Sequence, residues 1–420
     1  MKEMDSFNLL IFLTQMALLN EDYLKLPENY LFTEIHRKVN IFKITRPGSK
    51  VIHLDAGDSN HILQGEYVDT FRKNLEMMAS SHATKSTDIP ERLKALETKI
   101  LKTDYESNGI KLSVDDIFIS DDPRNAAADV LDLLSRDNII GVFDPSYPAF
   151  IYNTVMSGRS GLKMEDGRWS NLVYLPCNAE NNFVPSIPKE RLDVVYLSLP
   201  NNPTGTTLTT DELKKWVKYA NDTHTLIIYD ASHAHYVRQK KVPRSIYEIK
   251  GAQKVAIELR SFSKTTGYTG TNFGFTIIPS EVVAYTEMGK AMSLNQLCRR
   301  RQTSKFSGIP YLGLCAAEAL YTAEGQKQMR QIADYYMTNA MMIKEKLQSI
   351  GLTVAGGDNS PYLWVKTPDG VTSWRFFEQM LYEKSIVCTP GVGFCPGGEG
   401  YVRFSGFSEK SDVEEAMSRL

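Results

Sequence analysis

Apolar residues along the chain fall into two alternating rhythms. Short runs rich in β-branched residues occupy positions 117–120, 139–143, 172–175, 194–199, 226–230 and 255–259, and most are apolar on both faces. Between them lie stretches of helical spacing. Leu93, Leu96 and Ile100 share one face within 90–105, and helical segments are expected over 125–134 and 210–221. Doubly apolar strands alternating with helices imply a largely parallel sheet covered on both sides. The expected fold class is therefore α/β, with a mostly parallel central sheet flanked by helices. Such sheets bind ligands beyond the carboxyl ends of their strands. The segment 201–205, Asp230 and the loop 261–272 all fall at such ends.

The two ends of the chain read differently. The apolar run 7–19 is shorter than the ~20 residues of a spanning helix and follows mixed charges, so a packing helix is expected and no membrane segment. A helix over 33–42 and a short strand at 51–54 follow. Beyond Pro279, helices are expected over 281–292 and 324–349, then an α+β finish with strands at 362–365, 385–388 and 401–404. The expected division is an N-terminal extension helix (1–20), an arm joining the small domain (21–55), a large domain (56–310) and a small α+β domain (311–420).

Composition narrows the classes. With 420 residues, 42% of them hydrophobic, the chain can bury a substantial core. A net charge of −2, with Arg299-Arg300-Arg301 as its basic run, provides no footprint for nucleic acid. Five cysteines, an odd number without metal-ligand spacing, point to reduced thiols in a cytoplasmic protein. His233 and His235 stand at strand-like spacing without an identifiable partner ligand, so no metal site is expected.

Candidate chemistry centres on Lys264, which stands among small hydroxyl residues and glycines just after an apolar strand. An amine so placed can form an imine with an aldehyde. At neighbouring strand ends stand a carboxylate (Asp230), an amide (Asn202) and an aromatic ring (Tyr147), and Arg403 near the C-terminus offers a fork for a carboxylate. Each has a plain alternative: a turn, a helix cap, a core ring or a surface ion pair. Together they suit a pyridinium aldehyde handling an amino acid.

Several longer strings carry a resemblance: NLVYLPCNAENNFVP (171–185), LPNNPTGT (199–206), SIYEI (245–249), the Ser261 loop, RRQT (300–303) and GEGYVR (398–403). With these the chain resembles the class I/II pyridoxal-phosphate aminotransferases of fold type I, within them the LL-diaminopimelate aminotransferase branch, from about residue 23 onward. The resemblance implies a large cofactor-binding domain, a homodimer and amino-group transfer between an amino acid and a 2-oxo acid through an imine of pyridoxal 5'-phosphate on Lys264. It implies that Asp230 pairs with the pyridine nitrogen and that Asn202 donates to the ring oxygen. Tyr147 stacks on the ring, Ser261, Ser263 and Arg124 approach the phosphate, His233 stands beside the ring, and Arg403 grips the substrate α-carboxylate.

The chain departs from that pattern at the phosphate end. Asp122-Pro123-Arg124 replaces the usual Gly-Ala-Lys, Asn272 replaces an arginine, His233 a tyrosine, 86–89 a Tyr-Gly loop, and Ser307 an asparagine. Proline removes an N–H and aspartate adds negative charge where a dianion is expected. These positions support an alternative, a repurposed fold that binds a partner or ligand, or runs other chemistry, without conventional pyridoxal-phosphate binding.

Overall fold

In the computed structural model of the protein, residues 17–27, 31–57, 65–79, 89–265, 273–305 and 309–420 are described. The six strands predicted from doubly apolar runs assemble into one sheet with a seventh, Phe273–Ile277, that the sequence pattern did not announce. They are β2 (Ile117–Asp121), β3 (Ile140–Asp144), β4 (Leu172–Pro176), β5 (Val194–Ser198), β6 (Leu226–Asp230), β7 (Ala256–Ser261) and β8 (Phe273–Ile277); β1 (Ile52–His53) lies elsewhere. The order is β2-β8-β7-β6-β5-β3-β4. All are parallel except β8, which runs antiparallel to both β2 and β7. Strands β3, β5 and β8 are buried at every position, as sheets covered on both faces require. After β4 the order of addition reverses. The segments following β3 and β5 therefore part at the carboxyl ends of the sheet and leave a crevice.

Where β7 meets β8 the backbones approach too closely for a side chain. A Cβ at Gly274 would lie 1.9 Å from the Arg260 carbonyl oxygen, which belongs to the neighbouring strand and cannot rotate away. Gly274→Ala is expected to destabilise the fold by about 3 kcal/mol, read as a lowered midpoint of chemical denaturation.

Beneath the same strand lies a charged network. The fully buried Glu258 accepts hydrogen bonds from Tyr105 Oη (2.7 Å), Ser245 Oγ (2.6 Å), the Ile246 N–H (2.9 Å) and Arg260 Nε (2.7 Å). It fixes β7, the strand that leads into Lys264. Arg260→Met leaves this carboxylate without its cation, and a loss of about 3 kcal/mol in unfolding free energy is expected by denaturant titration.

The C-terminal part builds an antiparallel sheet, β11-β12-β15-β14, from β11 (Val354–Gly356), β12 (Tyr362–Lys366), β14 (Thr389–Pro390) and β15 (Tyr401–Ser405). Strand β1 pairs in parallel with β13 (Ile386–Val387), and the helix Leu31–Thr45 is tied to the helix Ser373–Lys384 by Lys38–Glu378 at 2.8 Å. The N-terminal segment thus pairs with the C-terminal part in a two-stranded sheet of its own. The helix expected over 324–349 is present as Ala323–Ser349.

The helix expected over 281–292 is instead a hairpin of β9 (Val283–Tyr285) and β10 (Ala291–Ser293). Gly289 turns the chain in the left-handed region at φ 76°. The Thr286 N–H donates to the Lys290 carbonyl and Thr286 Oγ1 accepts from the Lys290 N–H, closing the loop. Most of the apolar run 7–19 lies outside the described residues, and its last part, 17–19, is not helical.

Candidate active site

Four strand ends deliver the predicted side chains to one place. Tyr147 follows β3, Asn202 follows β5, Asp230 ends β6, and Ser261, Ser263 and Lys264 follow from β7 through the short helix Phe262–Thr265. With Arg124, His233 and Arg403 they line a single cavity of about 480 Å³. Each predicted site residue therefore lies at the crevice. Asn272, Ser307 and residues 86–88 lie outside the described residues.

Asp230 is held by three donors. Oδ2 accepts from Tyr196 Oη, and Oδ1 accepts from Ser232 Oγ and from the Ser232 N–H at 3.0 Å. Burial pushes this carboxyl above the ordinary aspartate range, the Ser232 and Tyr196 hydrogen bonds pull it down, and the nearby Asp122 charge raises it slightly. The result is a carboxylate fixed in orientation inside the cavity. The Tyr196 ring that holds it is itself stacked on Phe150, with centroids 4.0 Å apart.

Lys264 is half-buried, and its Nζ donates to the Gly57 carbonyl at 2.7 Å. The same carbonyl accepts from Tyr362 Oη at 3.0 Å, and Tyr362 Oη lies 3.2 Å from His233 Nε2. His233 is buried, and among the described residues no cluster of His, Cys, Asp and Glu suits a metal ion.

Arg403 reaches the cavity from β15 with no exposed surface. Its Nη1 donates to Asn202 Oδ1 (2.7 Å), and its Nη2 donates to the Asp55 carbonyl (2.6 Å) and Thr389 Oγ1 (3.3 Å). The guanidinium also sits 4.8 Å over the Tyr362 ring and 5.0 Å from that of Phe394. Its Nε has no hydrogen-bond partner, and among the described residues no carboxylate pairs with it. A buried cation without a counter-charge is costly unless an anionic ligand completes it.

The phosphate end is built differently. The helix Pro123–Leu131 begins with proline, and Asp122 caps it, Oδ1 accepting from the Arg124 N–H at 3.2 Å. Arg124 Nε closes onto the same oxygen at 2.9 Å.

Residues 49–420 match the family described as aminotransferase class I and II. The chain belongs to this family. It is similar to the LL-diaminopimelate aminotransferase of Parabacteroides distasonis (50% identity, covering 96% of this chain and 99% of the relative) and to that of Bacteroides fragilis strain YCH46 (51%, 96% and 99%). Among solved structures, L,L-diaminopimelate aminotransferase from Chlamydomonas reinhardtii superposes with a TM-score of 0.89 at 33% identity, covering 97% of this chain and 98% of that one. Aspartate aminotransferase from Thermotoga maritima, at 20% identity and a TM-score of 0.78, shares the fold. The chain is thus a fold type I aminotransferase, an enzyme of amino-group transfer that depends on pyridoxal phosphate.

The cavity fits that cofactor at its ring end, where a half-buried oriented carboxylate, a lysine amine and an anion-seeking arginine converge. Tyr196, Ser232, Gly57 and Tyr362 hold the functional groups, yet sequence reasoning passed over all four. Tyr196 and Tyr362 are polar-tipped residues within otherwise apolar strands, a signal open to the sequence. Gly57 O and Ser232 Oγ act through contacts that local pattern does not announce.

Proposed function

We propose that this enzyme transfers an amino group between LL-diaminopimelate and a 2-oxo acid, acting as a cytoplasmic homodimer. The observation that carries the reading is Arg403, a buried guanidinium with no carboxylate partner among the described residues, lining one cavity with Lys264 and Asp230. The two relatives named for that substrate, each aligned over 96% of this chain, support it. Free cysteines support the cytoplasm, and among the described residues no helix is long and apolar enough to cross a membrane. We also assign residues 56–310 to a large cofactor-binding domain, 311–420 to a small one and 21–55 to an arm joining it.

The cofactor, when bound, supplies an aldehyde to receive the amino group and a pyridinium ring to accept electron density. The chain's own residues then have distinct tasks. Lys264 Nζ, now on the Gly57 carbonyl, is the amine that holds the aldehyde carbon and moves the proton at the substrate carbon. Asp230, fixed by Tyr196 and Ser232, holds a proton on the ring nitrogen. Asn202 supports both the ring oxygen and Arg403, whose free Nε and forked nitrogens bind the substrate α-carboxylate. With the cofactor bound, Tyr147 would cover one face of the ring, His233 would flank it, and Ser261, Ser263 and Arg124 would stand toward the phosphate; all five line the cavity.

Purified protein incubated with pyridoxal phosphate, a 2-oxo acid and single amino donors tests this. LL-diaminopimelate is expected to turn over faster than donors with one carboxylate, and sedimentation is expected to give a dimer. No turnover with any donor would sink the proposal. The alternative of a fold that has abandoned this cofactor is motivated by Asp122, Pro123, Asn272 and Thr87, and borohydride labelling of Lys264 distinguishes the two.

A further inference from the structure

The donors at the start of the helix Pro123–Leu131 can be accounted for one by one. Pro123 has no N–H. The Arg124 N–H is taken by Asp122 Oδ1 (3.2 Å), and the Asn125 and Ala126 N–H groups by the Asp122 carbonyl (2.9 and 3.0 Å). A phosphate binds at such a place because the first-turn N–H groups are unpaired and the helix dipole is positive. Here the two first-turn donors that remain after Pro123, those of Arg124 and Asn125, already have partners, the Ala126 bond being the helix's own first i→i−4 bond, and a carboxylate stands where an anion would accept. Its side chain is only 14% exposed, lines the same cavity as Lys264 and Asp230, and draws the Arg124 guanidinium onto itself at 2.9 Å. The oriented Asp230 carboxylate and the Lys264 amine independently mark that cavity for a pyridine aldehyde.

We infer that the cavity discriminates against the phosphate ester, so that unphosphorylated pyridoxal binds Lys264 at least as tightly as pyridoxal phosphate. The inference rests on the function proposed above and concerns which form of the ring the chain retains. The ring-facing contacts are common to both compounds. The ester alone brings a dianion up to the Asp122 carboxylate and must displace it from the Arg124 N–H. The covalent step is the same for both: the Lys264 amine adds to the aldehyde carbon, a C=N bond forms and water leaves. Borohydride then delivers hydride to that carbon and fixes the adduct as a secondary amine.

The full chain, stripped of any bound cofactor, is titrated separately with pyridoxal and with pyridoxal phosphate. Binding is followed by absorbance and by the borohydride-fixed mass on Lys264. The expected result is a Kd for pyridoxal equal to or below that for the ester. Asp122→Asn keeps the oxygen that caps the helix, so the fold is retained, while removing the charge. It is expected to tighten the ester by about tenfold and to change pyridoxal by less than about twofold. An ester that binds the unaltered chain tighter than pyridoxal overturns the inference alone. Equal tightening of both compounds by Asp122→Asn does the same. No fixed mass on Lys264 with either compound overturns the proposed function together with it.

Discussion

Lys264→Ala is expected to lower amino transfer by about 10⁴-fold or more and to remove every borohydride-fixed adduct from the chain. The side chain is half-buried in the short helix that follows β7, and its Nζ rests on the Gly57 carbonyl. That carbonyl keeps its second donor, Tyr362 Oη, when the lysine is removed. The main-chain carbonyl of residue 264, which accepts from Tyr236 Oη at 2.8 Å, is also retained. Alanine is a good helix former, so the short helix should persist and circular dichroism should match the unaltered protein. The loss is therefore chemical: without this amine nothing holds the aldehyde or moves the proton. Steady-state turnover, with mass spectrometry of the reduced protein, checks it. Retained turnover would show that another group does the work.

The second large effect belongs to Arg403. Arg403→Lys is expected to reduce kcat/KM for the amino donor by about 10²- to 10³-fold, carried mainly by KM, with little change in the ring's own binding. Lysine keeps the charge and much of the length but offers a single donor head in place of the fork. It cannot reach Asn202 Oδ1, the Asp55 carbonyl and Thr389 Oγ1 while also presenting two parallel donors to a carboxylate. Alanine would be a poorer test. It would leave a hole between the Tyr362 and Phe394 rings, and a loss of activity could then reflect lost packing. Initial rates over a range of donor concentrations separate KM from kcat. A fall in kcat alone would place Arg403 outside substrate binding.

Much of this site was legible before any coordinate. Doubly apolar runs located β3, β5, β6 and β7, and residue type at their ends singled out Tyr147, Asn202, Asp230 and Lys264. Position and chemistry coincide there because a parallel sheet directs its carboxyl ends to one edge. The hairpin of β9 and β10 escaped because its residues alternate weakly and its decisive feature, the left-handed Gly289, is a single backbone angle. The reversed strand β8 escaped because its place between β2 and β7 depends on pairing with β2, which lies far away in the chain.

By itself the sequence determined the alternation of strands and helices, the family and the amine, carboxylate and arginine of the site. All of these are properties of residue type and spacing. Only the tertiary structure decided what surrounds them. Tyr196 and Ser232 orient Asp230, Gly57 and Tyr362 receive Lys264, and Arg403 lies buried with a nitrogen unpaired. The same holds for Asp122. Read as a letter it is an added charge; folded, it is a carboxylate that closes the helix end on which a phosphate would depend. Hydrogen bonds between residues far apart in the chain, and the partners a buried group finds or lacks, exist only once the chain has closed.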